Sequence, residues 1–476
     1  MNITKTYHVI DFLLPAQRFN INFSYITQKG LPFTREYILR LIHLAPMSKL
    51  QVATYFGFTP READEAIDDL IGRDDLTLSV SGRLTLTDKS AGYFMDVGEV
   101  PRLSILQDCT ANLVFDLATF TCHGKGNLND KWKSGISIEI DNAAASESEK
   151  HVEKNFQRHF HDILQKDYLS KSLTKDEKDS PEIYVVNSVH KVKSLPIRLS
   201  VEFKLDSDGR AVEREDFESL IDSNYVQSQI TQGISNLARP NNFSDMVNAM
   251  FEIGDADSLK IFDSKCKYIN LQFLEDILKL ESNSNDKRTT IVGPIYSPDN
   301  WVLVQKHLAP IINSRRENKS DFSGSPLIWI APSDPYWGKC QKIQSCVSDI
   351  CSLAKHGDKS IYSPIVYLPI SDATDNRSVQ DWKREFDHNL ANIKCIAEGF
   401  LRGNIEVMHL EGEFVVVIYH FSIPTSYPVT LPFGFISSNK DTVAIVGRLV
   451  KSYIEGSAGF DKPNDLGFIA RMTKSR

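Results

Sequence analysis

Apolar residues recur at helical spacing over 33–72 and at alternate positions over 76–87. Thr34 is placed to cap a first helix, with Tyr37, Ile38, Leu41 and Ile42 on one face and Pro46 as its stop. Ser48, with Gln51 three residues on, spells a capping box for a second, short helix built from Leu50, Val52, Ala53 and Tyr55 and ended by Gly57. Thr59 and Glu62 spell another box, with Pro60 at the first helical position. Ala63, Ala66, Ile67, Leu70 and Ile71 form the buried stripe of that third helix, and Gly72 ends it. Residues 76–80 and 84–87 then read as a hairpin turning at Ser81-Gly82.

Two capped helices, a glycine turn and a hairpin in this order resemble the winged helix-turn-helix family, over 31–95. The family resemblance implies a recognition module. A third helix that reads DNA needs Lys or Arg among the phosphates. Between 59 and 73 the chain sets Arg61 and Arg73 against Glu62, Asp64, Glu65, Asp68 and Asp69. Such a helix is repelled by a phosphate backbone. Its acidic face (Glu62, Glu65, Asp69) suits a basic protein partner, whereas Lys49, Arg83 and Lys89 are the candidates for nucleic-acid contact from another face.

The remaining pattern is mixed. Residues 1–30 alternate as one or two strands or an extended arm. The stretch 96–240 reads as an α+β domain, with strands at 111–121, 135–140, 183–190 and 197–205 and amphipathic helices at 146–168 and 215–237. A polar loop is expected at 171–181. From 241 on, helices at 243–251 and 271–280 and a linker at 281–287 precede an alternating series. Strands are expected at 289–295, 327–331, 365–369, 405–409 and 414–419, and helices at 301–312, 337–355, 381–403 and 437–453. That alternation predicts a largely parallel, covered sheet. The fold class is thus α/β and α+β, multidomain, with loosely ordered residues from 455 to the end.

The run Thr289-Thr-Ile-Val-Gly-Pro-Ile-Tyr-Ser-Pro-Asp299, then a helix and the strand at 327–331, resembles the opening of a phospholipase D-like lobe in 241–476. The resemblance implies a His-x-Lys-x4-Asp signature, in which one side chain attacks phosphorus and the other holds its oxygens. At the expected place stands His409-Leu410-Glu411, with a carboxylate for the lysine, which makes the lobe catalytically degenerate. The signature is spelled instead at His123-Gly-Lys125-Gly-Asn-Leu-Asn-Asp130, whose glycines and asparagines describe a loop rather than a strand. Cys340, Cys346 and Cys351 read as buried thiols along a helix rather than, together with His356, a metal site, and His151, His159 and His161 do not converge. Neither a phosphate-binding Gly-x4-Gly-Lys-Ser/Thr loop nor a Gly-x-Ser-x-Gly elbow occurs.

Composition narrows these readings. The 476 residues are 41% hydrophobic, as in a folded globular chain, and the net charge of −8 gives no global attraction to nucleic acid or an anionic membrane. Asp11 interrupts the first apolar run, which argues against a signal peptide, and apolar runs are strand-sized, which argues against membrane spans. Seven scattered cysteines fit a reducing cytoplasm. The expectation is a cytoplasmic, non-enzymatic adaptor without cofactor or metal, resembling accessory proteins of bacterial genome-maintenance or phage-defence systems. Its partner would be an ATPase, helicase or nuclease subunit. The alternative is a nucleic-acid-binding protein or weak phospholipase D-like nuclease acting through His123, Lys125 and Asp130.

Overall fold

In the computed structural model, the described residues are 4–94, 100–126, 134–169, 173, 181–206, 208–260, 288–318, 320–372, 374–386 and 392–457. The chain opens on a long strand, β1 (Lys5–Gly30), followed by α1 (Phe33–Leu44), α2 (Lys49–Phe56) and α3 (Pro60–Gly72). Both capping boxes form: Ser48 with Gln51, and Thr59 with Glu62, each exchanging side-chain and backbone hydrogen bonds that satisfy first-turn amides. Gly57 closes α2 in the left-handed region at φ 71°, which a residue with a Cβ adopts only at a cost. The expected Thr34 cap does not form: α1 begins two residues earlier than that cap implies, behind Pro32, and no side chain caps it. Strands β2 (Leu76–Leu78) and β3 (Leu84–Leu86) pair antiparallel and lead to a one-turn helix, α4 (Asp88–Ala91). Ile38, Leu39, Ile42, Val52, Ile67, Leu70, Leu76 and Leu84 are the core of this segment. Ile71, expected inside, is exposed, as are Leu50 and Tyr55.

Next come β4 (Arg102–Asp116), β5 (Ile136–Ser137), α5 (Asn142–Ser146), α6 (Ser148–Arg158), α7 (Phe160–Gln165), β6 (Glu182–Leu205), α8 (Ser223–Leu237), α9 (Phe243–Ile253) and α10 (Ala256–Leu259). The helix expected over 146–168 is interrupted at Glu147 and His159, both with non-helical ψ values near 20°. The two strands expected at 183–190 and 197–205 are one, because Pro196 is accommodated in extended backbone. The loop at 171–181, apart from residues 173 and 181, lies outside the described residues, as do the helix at 271–280 and the linker at 281–287.

The last series is β7 (Arg288–Val292), α11 (Pro298–Glu317), β8 (Pro326–Ile330), α12 (Lys342–Leu353), β9 (Lys355–His356), β10 (Lys359–Ser360), β11 (Ser363–Ile370), α13 (Asn376–Glu385), β12 (Ile393–Ala397), β13 (Ile405–Leu410), β14 (Phe414–Phe421), β15 (Leu431–Ser437) and α14 (Lys440–Gly456). Seven of these strands form one sheet in the order β12-β11-β8-β13-β14-β15-β7. The sheet is mixed, not largely parallel. Only β8, β11 and β12 run parallel, where helices supply the crossovers. The remaining neighbours are antiparallel. The link from β13 to β14 is Glu411-Gly412-Glu413, far short of the dozen or so residues a parallel crossover needs. A strand, β12, also replaces the second half of the helix expected over 381–403.

The chain divides into two compact units: residues 1–15, 127–140 and 196–476 form one, and 16–126 with 141–195 the other. In the second unit, β1 pairs with β4 from Ala16↔Asp116 to Gly30↔Arg102, and Phe23 packs its ring against Phe156 and Phe160. In the first, Phe12 of β1 pairs with Ile136, and the seven-stranded sheet carries a core that includes Trp329, Met408, Val416 and Ile418 against α11 and α12.

Candidate functional site

The densest chemistry in the described residues lies inside the first unit. Along β13 and β14 side chains alternate, so Glu406, Met408 and Leu410 share a face with Phe414, Val416 and Ile418. Glu406 pairs with Ile418, which places His420 diagonally across from it. His420 donates from one ring nitrogen toward each of two carboxylates: Nδ1 is 2.7 Å from Asp334 Oδ2, and Nε2 is 3.3 Å from Glu406 Oε2. None of the three side chains is exposed.

A buried imidazolium between two carboxylates leaves one uncompensated negative charge, and neutral donors meet it. Glu406 Oε1 accepts from the indole nitrogens of Trp329 at 3.0 Å and Trp337 at 2.8 Å, while Oε2 accepts from the Ile295 amide at 3.1 Å. Asp334 accepts from the Thr430 hydroxyl at 2.6 Å and the Tyr336 amide at 3.1 Å. Burial alone would lower the His420 pKa, but the hydrogen bonds to Asp334 and Glu406 outweigh it and raise the group to about 9. Burial opposes the Asp334 charge too, yet the bond from His420 and its charge hold that carboxyl below the usual range. His8 of β1 interacts with Asp334 and His420 electrostatically but lacks such bonds, so burial pushes it down to about 4. Its Nε2 has no hydrogen-bond partner. With both His420 nitrogens and all four carboxylate oxygens engaged, the cluster holds a proton and a fixed charge. It presents no nucleophile.

The described part of the spelled signature, His123 to Gly126, is a loop. His123 Nε2 is 3.0 Å from Asp116 Oδ2, and Asp116 also accepts from the amides of Ala118, Thr119 and Thr121. The Lys125 carbonyl accepts from Arg18. Gly124 and Gly126 both sit at positive φ, so His123 and Lys125 do not share a strand face. Asp130 lies outside the described residues. At the other expected place, His409 is buried beneath α14, with Nε2 3.2 Å from the Val443 carbonyl, while Glu411 is exposed in the β13–β14 turn. Burial raises the thiols of Cys340 to about 11 and of Cys346 further. His151 stacks on Phe120, and His159 meets Asp162 at 3.2 Å.

On the helical segment the structure brings the candidate cations onto acceptors. Lys49 of α2 reaches Asp64 at 2.9 Å and Asp68 at 3.1 Å, both on α3. Arg61 meets Glu65 at 3.2 Å, and Arg73 meets Asp69 at 2.8 Å. Lys89 donates to the Arg73 carbonyl at 2.6 Å, and Arg83 reaches the Pro46 carbonyl at 3.5 Å. Glu62, Glu65 and Asp69 are exposed along α3. The Thr59 amide and hydroxyl hold the Glu62 carboxyl below its usual range.

Asp334, Glu406, His420 and His8 were not singled out by the sequence reading. The signal was a polar residue inside a mostly apolar strand: Glu406 in β13, which also carries His409, and His420 in β14. No family model matches the chain, and no curated protein matches it. Among the described residues no group of His, Cys, Asp and Glu could hold a metal ion, and no helix is long and apolar enough to cross a membrane.

Proposed function

We propose that this chain is a non-enzymatic adaptor or recognition subunit of a multi-protein assembly, of the kind that serves bacterial genome maintenance or phage defence. In this reading the segment from α1 to β3 is a winged helix that meets a basic protein surface through α3. The seven-stranded sheet is a degenerate phospholipase D-like lobe in which a sealed ionic cluster replaces catalysis. The observation that carries the reading is the pairing of Lys49, Arg61 and Arg73 with Asp64, Asp68, Glu65 and Asp69. With Glu62 added, five acids face three bases on this surface, which favours a cationic partner and opposes phosphate. The cytoplasm is its proposed compartment, and an ATPase, helicase or nuclease subunit its proposed partner.

Glu65→Lys with Asp69→Lys tests this and leaves the Thr59–Glu62 box intact. Affinity capture from native lysate should recover a stoichiometric partner with the wild-type chain and lose it with the double variant. Circular dichroism should show both chains folded. Recovery of the chain alone, or capture unchanged by the charge reversal, would overturn the proposal. Salt-dependent DNA binding by the wild type would favour the nucleic-acid reading instead.

A further inference from the structure

We propose that a row of four tryptophans carries a one-electron oxidation from the surface inward, and that Glu406 takes the proton of the indole left oxidised. The row begins at the half-buried Trp382 of α13 and passes through Trp337 and Trp329, both shut off from solvent, to Trp301 of α11. Ring centroids are 6.1 Å apart from Trp382 to Trp337, 6.1 Å from Trp337 to Trp329 and 6.2 Å from Trp329 to Trp301. Rings at these separations touch, so an electron crosses each gap without leaving the aromatic series.

The acceptors of the N–H groups separate this row from an ordinary aromatic core. An oxidised indole is a strong acid and gives up its Nε1 proton to a base within reach. Trp382 donates to the Pro369 carbonyl at 3.1 Å, a neutral acceptor that does not keep a proton. Trp337 and Trp329 both donate to Glu406 Oε1, at 2.8 Å and 3.0 Å. Glu406 belongs to the buried cluster with one uncompensated negative charge, which in so dry an interior favours a cation on an adjacent ring. Proton transfer then neutralises that charge. Trp301 donates to Asp349 at 2.9 Å, but this carboxylate is half-buried and water screens it. Tyr296, 5.9 Å from Trp337, does not drain the site. Burial pushes its phenol well above 10 and its oxygen accepts from the Gly338 amide, so its own proton is held.

The electron leaves from the outer end. A diffusible radical oxidant takes one electron from Trp382 and departs as its anion. Trp337 refills Trp382, and Trp329 in turn refills Trp337. The indole left oxidised passes its Nε1 proton to Glu406 Oε1, which gives a neutral indole radical and a carboxylic acid. A one-electron reductant reverses the electron transfers, and the proton returns to nitrogen.

Azide radical, made by pulse radiolysis, is the oxidant, on the full chain with Trp132→Phe so that every remaining indole belongs to the row. The absorption of the indole radical is followed with ascorbate present. A persistent radical is expected, removed far more slowly than that of free N-acetyltryptophanamide. Trp382→Phe should lose most of the radical yield, because the entrance is gone. Trp337→Phe should leave a radical that ascorbate removes as fast as that of the free amide. Glu406→Gln should lose the persistent phase, because no base takes the proton. Circular dichroism checks that each variant is folded, and if Glu406→Gln is not, the two tryptophan variants decide. A wild-type radical as short-lived as the free amide's, an unchanged yield in Trp382→Phe, or a persistent phase in Trp337→Phe or Glu406→Gln would overturn the proposal.

Discussion

His420 on β14 sits two residues past the partner of Glu406 on β13, and its Nε2 lies 3.3 Å from that carboxylate with neither side chain exposed. Removing the imidazole leaves two buried carboxylates with no cation between them. His420→Gln should therefore cost roughly 3–5 kcal/mol, the range for breaking a buried ion pair from one side. Urea denaturation followed by tryptophan fluorescence measures it, and a midpoint close to wild type would show that water reaches the cluster.

The two buried histidines predict a stability maximum near pH 6.5. His420, at about 9 against an ordinary 6.5, keeps a proton that the unfolded chain releases. Its contribution is whole below pH 6.5 and is lost as the pH rises through 9. His8, at about 4, works the other way: the unfolded chain takes up a proton first, so stability falls as the pH drops from 6.5 toward 4. Asp334, held below 3.8, adds a further loss below that value. Denaturation midpoints across this range should trace the dome, and His420→Gln should flatten its alkaline side and weaken the further loss below 3.8 that Asp334 owes to His420, while the burial-driven fall from His8 remains.

Gly434 of β15 predicts a severe single substitution. A Cβ built there would fall 2.8 Å from the Ile418 Cα and still closer to the Val417 carbonyl oxygen. Both belong to backbone, which cannot swing aside as a side chain would. Gly434→Ala should cost about 3 kcal/mol or more, the upper end for overpacking. Soluble yield and urea midpoint report it.

Freeing a cation tests what keeps α2 and α3 off nucleic acid. With Asp64→Asn and Asp68→Asn, Lys49 loses both partners, which now raise its pKa through hydrogen bonds, Asp64 first. The variant should gain weak duplex affinity at low salt, with a log-log salt slope steeper by about 1 than that of the wild type. An unchanged isotherm would mean that Lys49 does not face the phosphates.

Thr59→Ala removes the hydroxyl that accepts from the Glu62 amide. It should cost about 1 kcal/mol, the usual worth of an N-cap. Denaturant titration followed by circular dichroism measures the loss.

What was legible in the sequence is what local chemistry decides. The boxes at Ser48–Gln51 and Thr59–Glu62 join residues three apart, so the chain announces them before anything packs. The outward turn of Ile71 and the interruption at His159 depend on neighbours that residue spacing does not carry. The mixed sheet was half visible: a three-residue link after Leu410 already forbids a crossover, although the alternation of strands and helices pointed elsewhere. The cluster was beyond reach because Asp334 and Glu406 are distant in sequence, and only β8 and β13 lying side by side make them neighbours of His420.

The two units exchange the chain at residues 15–16, 126–127, 140–141 and 195–196. The ribosome therefore delivers them in an awkward order. The second unit has all its residues once 195 has emerged, whereas Tyr7, His8 and Asp11, made at the start, belong with segments that end the chain. At ordinary rates of synthesis His8 precedes His420 by roughly 20–80 s. Part of what the opening strand meets arrives within that interval, since Lys339 and Gln341 bond Asp11, whereas Tyr427, whose ring meets Tyr7, comes later still. The same threading means that neither unit can be cut out as one continuous piece, so a stable fragment would have to be rejoined from separate segments.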